Sequence, residues 1–302
     1  MKATGYVFLN GRIIDASRAT ISVHDRGLLY GDGLFETMRA YKGVAFAIED
    51  HFHRLRTSAD ILGLPIPNLD WPATIAELLA KNDLAQRDAW VRLTITRGPA
   101  EPRVLPPELP KPTTILMVRP LDSAIAEHQK RGVKVALLPF SRHGFIPEHK
   151  SLNYLPAVIG KVLASYHGAY EGLFVRGDHV LTEGTTTSVF IVRDGIVWTA
   201  PEGGILPGIT RRVVLDLAHA NQLAVAERDI LTTDLRLADE AFLVSSMIEI
   251  VPIVHVDDTA LGSGEPGPVT TKLQKLYQQA VRDYVKATRR KWGDRRGPRG
   301  TR

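Results

Sequence analysis

Between Arg119 and Glu127 the pattern of the chain starts afresh. A β-rich run closes at Val118, a short polar stretch follows, and a new strand pattern opens at Val133. A restart of this kind splits 302 residues into two domains, each long enough to bury a core of its own. The expected boundaries are an N-terminal α/β domain over 1–120, an interdomain linker over 121–127, a larger C-terminal domain over 128–288 and a basic, disordered tail over 289–302. Each half mixes hairpins with amphipathic helices, which is an α+β arrangement.

Local signals fill in the halves. Asn10-Gly11 supplies the positive φ values of a tight hairpin between runs 6–9 and 12–14, and a second hairpin is predicted around Lys42-Gly43, between 34–41 and 44–48. Helices are predicted over 50–62 and 71–81, and strands over 90–96 and 113–118. The Pro-studded loop 99–112 is long for a plain connection and is expected to act as a lid or to face substrate. In the second half, strand 133–138 leads through a loop to Lys150. A helix follows with apolar residues at Leu152, Leu155, Ile159, Leu163 and Tyr166, and Pro156 is tolerable only in its first turn. Strands over 172–175 and 188–192, a hairpin at Asp194-Gly195, a helix over 210–220, strands over 242–245 and 251–256 and a C-terminal amphipathic helix over 269–287 complete the pattern.

Composition narrows the function. Apolar residues make up 44% and charged residues 24%, the balance of a globular protein. No apolar run is long enough to cross a bilayer, and the first residues enter a strand pattern without the apolar core of a signal peptide, so a cytoplasmic enzyme with no membrane partner is expected. Cysteine is absent, which excludes disulfides and thiolate metal sites. The net charge of +5 suggests nucleic acid until it is located. Residues 289–302 carry seven cations and one acid, so the rest of the chain is slightly acidic, and a tail with Trp292 as its one aromatic is a poor nucleic-acid reader. His51 and His53 stand two apart on a predicted helix, too far around it to chelate one ion, and no metal is expected.

Several residues carry chemical potential, each with a plainer reading beside it. Lys150, between a strand and a helix, could serve as an amine nucleophile or simply sit solvated at a helix start. Glu183, before a hydroxyl-rich turn, could hold a proton on a heterocyclic nitrogen or belong to an ordinary hairpin. Gly208-Ile209-Thr210-Arg211 opens a helix whose N–H groups suit a phosphate, or in which Thr210 merely caps. Ser246 could add a hydroxyl or begin a turn. Arg54 could pair with a phosphate in bidentate fashion or lie on a helix surface.

Order makes these pieces specific. Residues 25–37 (Asp-Arg-Gly, then Tyr-Gly-Asp-Gly-Leu-Phe-Glu-Thr), 51–55 (His-x-x-Arg-Leu), 150–155 (Lys-Ser-Leu-Asn-Tyr-Leu), 182–184 (Thr-Glu-Gly), 206–211 (Leu-Pro-Gly-Ile-Thr-Arg) and 245–252 (Ser-Ser-x-x-Glu-Ile-x-Pro) follow one another in a set. That set resembles the class IV aminotransferases: branched-chain and D-amino acid aminotransferases and their relative aminodeoxychorismate lyase. The resemblance runs from Tyr6 to Tyr284. It implies a two-domain fold-type IV enzyme with a pseudo-barrel C-terminal domain, pyridoxal 5'-phosphate (PLP) as cofactor, amino acid and 2-oxo acid substrates, and a homodimer with active sites near the subunit interface. By the same resemblance Lys150 would be the Schiff-base lysine that also moves the substrate proton. Tyr154 would bond the cofactor phenolate oxygen and Glu183 would face the pyridine nitrogen. Arg54, Ile209, Thr210 and Ser246 would hold the phosphate.

Substrate signals divide. Phe35 and Arg92 match the branched-chain pattern, whereas Arg26, Thr37 and Arg103 look more like the D-amino acid and lyase branches. The tyrosine associated with D-substrates is Phe35 here. Transamination of an aliphatic amino acid, leaning to the L-series, is the expectation, with D-amino acid transamination or lyase chemistry on the same scaffold as alternatives.

Overall fold

The protein is described here from a computed structural model covering residues 5–142 and 144–295. It divides into two compact units, one running to Leu121 and resuming at Gln278, the other spanning Asp122–Tyr277.

The first unit is built on β1 (Tyr6–Leu9), β2 (Arg12–Asp15), β3 (Gly33–Tyr41), β4 (Val44–Ala45), β5 (Ala89–Thr96) and β6 (Thr113–Pro120), with helices α1 (Arg26–Tyr30), α2 (Ile48–Leu62) and α3 (Trp71–Lys81). The strands form one antiparallel sheet in the order β2-β1-β6-β5-β3-β4. Both predicted hairpins form, because Asn10-Gly11 and Lys42-Gly43 all adopt positive φ. The core lies where the apolar faces of α2 and α3 meet the sheet, with Trp71 stacked on Phe52 at 5.6 Å and edge-on to Phe8 at 6.1 Å.

The second unit contains α4 (Ala124–Arg131), β7 (Val133–Leu138), α5 (Leu155–Tyr166), β8 (Glu171–Val175), β9 (Val180–Gly184), β10 (Ser188–Arg193), β11 (Ile196–Thr199), α6 (Ile209–Ala220), β12 (Ala224–Glu227), β13 (Ile230–Leu231), α7 (Thr232–Arg236), β14 (Glu240–Ser245), β15 (Glu249–Val256), β16 (Thr259–Ala260) and the start of α8 (Pro268–Arg295). Its ten strands form one sheet, with path β12-β11-β10-β14-β15-β7-β8-β9-β13 and β16 beside β15. The central strands are apolar on both faces; Phe190 and Phe242, paired in register, stack at 5.0 Å. β7, α5 and β8 form a parallel crossover unit, so the loop carrying Lys150 leaves from the C-terminal end of β7.

Three sequence expectations differ from the structure. Residues 124–127 of the expected linker 121–127 are the start of α4, whose Gln129 Nε2 donates to Ile248 O at 2.9 Å. With Ile125 as its one buried residue, this short polar helix leaves almost no periodic signal. The final helix is not confined to the 128–288 domain, since residues from Gln278 onward belong to the first unit. Within the expected tail 289–302, residues 289–295 continue α8 and Arg289 Nη2 donates to Lys42 O at 2.7 Å; residues 296–302 lie outside the described residues.

Candidate active site

Within the second unit, Glu183 meets the loop before α6. Glu183, at the end of β9, is buried and accepts the Leu206 N–H at 3.3 Å. From Leu206 the chain runs through Pro207 and Gly208 into α6, whose N-cap is Gly208 and which carries no side-chain cap. Thr210 is therefore inside the helix, not its cap, and with Ile209 it is buried in the first turn. The same loop is tied back towards Lys150, because Gly204 N–H donates to Glu148 Oε1 at 3.0 Å. Lys150 Nζ lies 5.9 Å from the centre of the Tyr154 ring. Ser188 pairs with Val244, which brings the Ser245–Ser246 end of β14 to the sheet end where β10 begins.

Electrostatics single out Glu183. Burial pushes its carboxyl above the ordinary range; Arg142, the Leu206 N–H and the charge of Lys150 pull the other way without cancelling that push. The Arg142 guanidinium pairs with Glu183 through Nη2, and its Nε is buried without a hydrogen-bond partner among the described residues. Arg142 was not foreseen from sequence: it stands 41 residues from its partner and carries no local motif.

The first unit holds the other predicted residues. Arg54 is buried and grips the equally buried Glu36, with Nε to Oε1 at 2.8 Å and Nη2 to Oε2 at 2.6 Å, while His51 Nδ1 lies 2.7 Å from Oε2. Burial would raise the Glu36 carboxyl, but Arg54 and His51 overcome it and hold it down at about 2. Phe35 and Arg92 come together: the guanidinium lies 3.8 Å over the ring, and Arg92 Nε donates to Thr94 Oγ1 at 3.3 Å. Thr37 pairs directly with Arg92 across β3 and β5.

Arg26, expected from the sequence to touch substrate, is bonded within the first unit. Its Nε donates to Asp32 at 2.7 Å, and Nη1 and Nη2 donate to the carbonyls of Arg103 and Val104 at 2.6 and 2.8 Å. Two of the three nitrogens strap the 99–112 loop, the third is held by Asp32, and the residue is buried. Asp32 also takes Arg97 at 2.8 Å, and Asp25 accepts Thr96 and Thr113 hydroxyls at 2.9 and 2.6 Å, so the 25–33 motif is scaffolding. Arg103 is exposed and paired with Glu101. Among the described residues no cluster of His, Asp and Glu could hold a metal ion, and no helix is long and apolar enough to cross a membrane.

Comparison with known proteins places this arrangement. A candidate branched-chain-amino-acid aminotransferase of Methanocaldococcus jannaschii is 36% identical over 290 residues, covering 95% of this chain and 97% of that protein. The D-alanine aminotransferase of Listeria innocua is 34% identical, covering 91% and 96%. Among solved structures, the branched-chain amino acid aminotransferase of Escherichia coli superposes with a TM-score of 0.84 at 28% identity, over 90% of this chain and 93% of that one. The family model for amino-transferase class IV matches residues 33–256, across both units. This chain belongs to the class IV aminotransferases, a family of PLP-dependent transaminases.

Proposed function

We propose that the protein moves an amino group between an aliphatic amino acid, leaning to the L-series, and a 2-oxo acid such as 2-oxoglutarate, with PLP held by the second unit. The residues present fit that cofactor. Glu183 is a buried carboxylate whose proton affinity is raised by burial, which suits a shared proton with a pyridine nitrogen. The start of α6, lacking a side-chain cap at Gly208, offers first-turn N–H groups to a phosphate, and here Ile209 and Thr210 would hold it. Ser246 would complete the phosphate contacts within that unit; Arg54, expected beside them from the sequence, has Nε and Nη2 committed to Glu36 in the first unit. Lys150 would hold the cofactor through Nζ, and Tyr154 would bond its phenolic oxygen.

When bound, the cofactor supplies an electron sink for the bond broken at the substrate Cα. The chain's own groups do the rest. Lys150 Nζ, freed once the substrate amine has taken its place on the cofactor, would take the Cα proton and return it, a general base and acid in one group. Glu183, clamped by Arg142 and the Leu206 N–H, would keep a proton at the ring nitrogen. Phe35 and Arg92 combine an apolar wall with a cation suited to a carboxylate, which supports aliphatic substrates. Relatives named branched-chain aminotransferases support the same substrate class. The D-series is the second reading, supported by relatives named D-alanine aminotransferase.

A homodimer is part of the proposal. On α5 the buried residues are the small ones, Ala157, Gly160 and Ala164, whereas Leu155, Val158, Ile159, Val162 and Tyr166 are exposed. This apolar face of α5 thus points outward, an arrangement that a second copy would cover. The observation carrying the whole reading is Glu183, a buried carboxylate of raised proton affinity bonded to the backbone just ahead of an uncapped helix. Borohydride reduction followed by peptide mapping tests it: the pyridoxyl label is expected on Lys150, and a label on another lysine would overturn it. Half-reaction rates with matched L- and D-amino acids decide the series.

A further inference from the structure

We propose that Glu171 is a positioning residue of this site: it clasps the hydroxyls of Thr185, Thr186 and Thr187 and so fixes the spacing between Glu183 and the start of α6. The inference rests on the reading of those two features given above. Glu171 opens β8 and is fully buried. Its Oε1 accepts the Gly172 N–H at 3.0 Å and the Thr185 hydroxyl, with Lys161 Nζ at 3.2 Å. Its Oε2 accepts the hydroxyls of Thr186 at 2.9 Å and Thr187 at 3.4 Å. Thr186 is exposed, yet its hydroxyl turns inward. A buried carboxylate is costly unless it is paired and fully hydrogen-bonded, and here the donors that repay that cost come mostly from one turn.

That turn joins the two ends of the site. Its first residue follows Glu183-Gly184 directly, and its backbone closes through Gly184 N–H to Thr187 O at 2.8 Å and Thr185 N–H to Gly172 O at 3.0 Å. At its far end Ser188 meets the helix start: a Cβ added to Gly208 would lie 2.8 Å from Ser188 Oγ. The approach is equally close elsewhere. A Cβ at Gly184 would come within 3.2 Å of Glu171 Cγ, and one at Gly160 within 2.6 Å of the Thr185 methyl. Packing therefore confines the turn from the α5 and α6 sides, while Glu171 supplies its side-chain polar anchor. Without that anchor the segment between carboxylate and helix start is free to shift, and two cofactor contacts that must act at a set distance lose their common reference.

The test uses the full chain carrying Glu171→Gln. In cofactor-free protein, amide exchange across 183–188 is expected to accelerate about tenfold, the worth of one or two charge-assisted hydrogen bonds, while the middle of α6 keeps its protection. PLP affinity, followed by absorbance on titrating the apoprotein, is expected to weaken by a similar factor. Thr185→Ser keeps the donor and is expected to behave as wild type; Thr185→Val is expected to follow Glu171→Gln, and it serves alone if the glutamine variant does not fold. Unchanged exchange and affinity overturn the proposal, as does exchange that rises equally throughout the chain. Borohydride labelling of the same samples separates the two readings. A label off Lys150 defeats the site assignment, whereas a label on Lys150 with unchanged exchange defeats the clasp alone.

Discussion

Each unit of the molecule buries a glutamate against an arginine, and the two pairs have opposite proton affinities. Glu36 meets Arg54 through two hydrogen bonds and His51 through a third, and burial is overcome: the carboxyl stays charged down to about 2. Glu183 meets Arg142 through one guanidinium nitrogen and one backbone N–H, and burial wins: the carboxyl is pushed up. Burial is nearly the same, so the number and aim of the donors decide the sign. A saturated pair such as Glu36–Arg54 locks a fold. An undersupplied one such as Glu183–Arg142 has capacity left for a partner from outside the chain.

The strongest blow to this contrast comes from Glu36→Ala. It leaves Arg54 and His51 buried without their acid, and a loss of about 3–5 kcal/mol is expected in denaturant unfolding. Unchanged stability would mean that the pair is not what holds β3 to α2. Next is Glu183→Gln, expected to slow the amino-acid half-reaction about a hundredfold, or about 2.7 kcal/mol of barrier, with cofactor still retained. Wild-type rates would make Glu183 a second structural pair and erase the distinction.

A smaller effect sharpens the sign. The folded-state carboxyl of Glu36 lies below its ordinary 4.5, so its stabilisation is present above that value and is lost as pH falls towards about 2. Glu183 is raised, so its contribution is present at low pH and lost as pH rises through the raised value. In cofactor-free protein, Glu183→Gln is therefore expected to gain stability over wild type on the alkaline side relative to the acid side, read from melting temperatures across pH. A gain on the acid side instead would reverse the assignment. The least effect belongs to Arg289→Ala, which removes an exposed bond to a carbonyl; a change within about 0.5 kcal/mol is expected. A larger loss would show that burial is not the deciding variable.

What the sequence discloses follows the range of each interaction. The hairpins at Asn10-Gly11 and Lys42-Gly43 are set by residues that tolerate positive φ, and helix α3 begins and ends where Asp70 and Lys81 signal. Glu183 and the α6 start are recognisable only as members of an ordered motif set, since neither is distinctive alone. Arg142 and Glu171 escaped because their meaning lies in partners brought together by the sheet. The bonds of Arg26 were hidden for the same reason: the carbonyls it binds lie 77 and 78 residues away. On α5 the helical spacing is real but the buried face is the small-residue one, because Gly160 permits a close approach that a larger side chain would block.

The last helix also sets an order of events during synthesis. Tyr284 donates to Glu49 at 2.8 Å, accepts the Ile48 N–H at 3.3 Å and packs edge-on to Phe46 at 5.0 Å, contacts that bridge some 235 residues of chain. The N-terminal sheet and its helices emerge from the ribosome early, but the groups that close the start of α2 emerge last. On a growing chain the first unit waits, with Phe46 and the helix start uncovered, until the entire second unit has been translated. A nascent chain stalled before Tyr284 should therefore expose that site to protease, and release of the full chain should seal it.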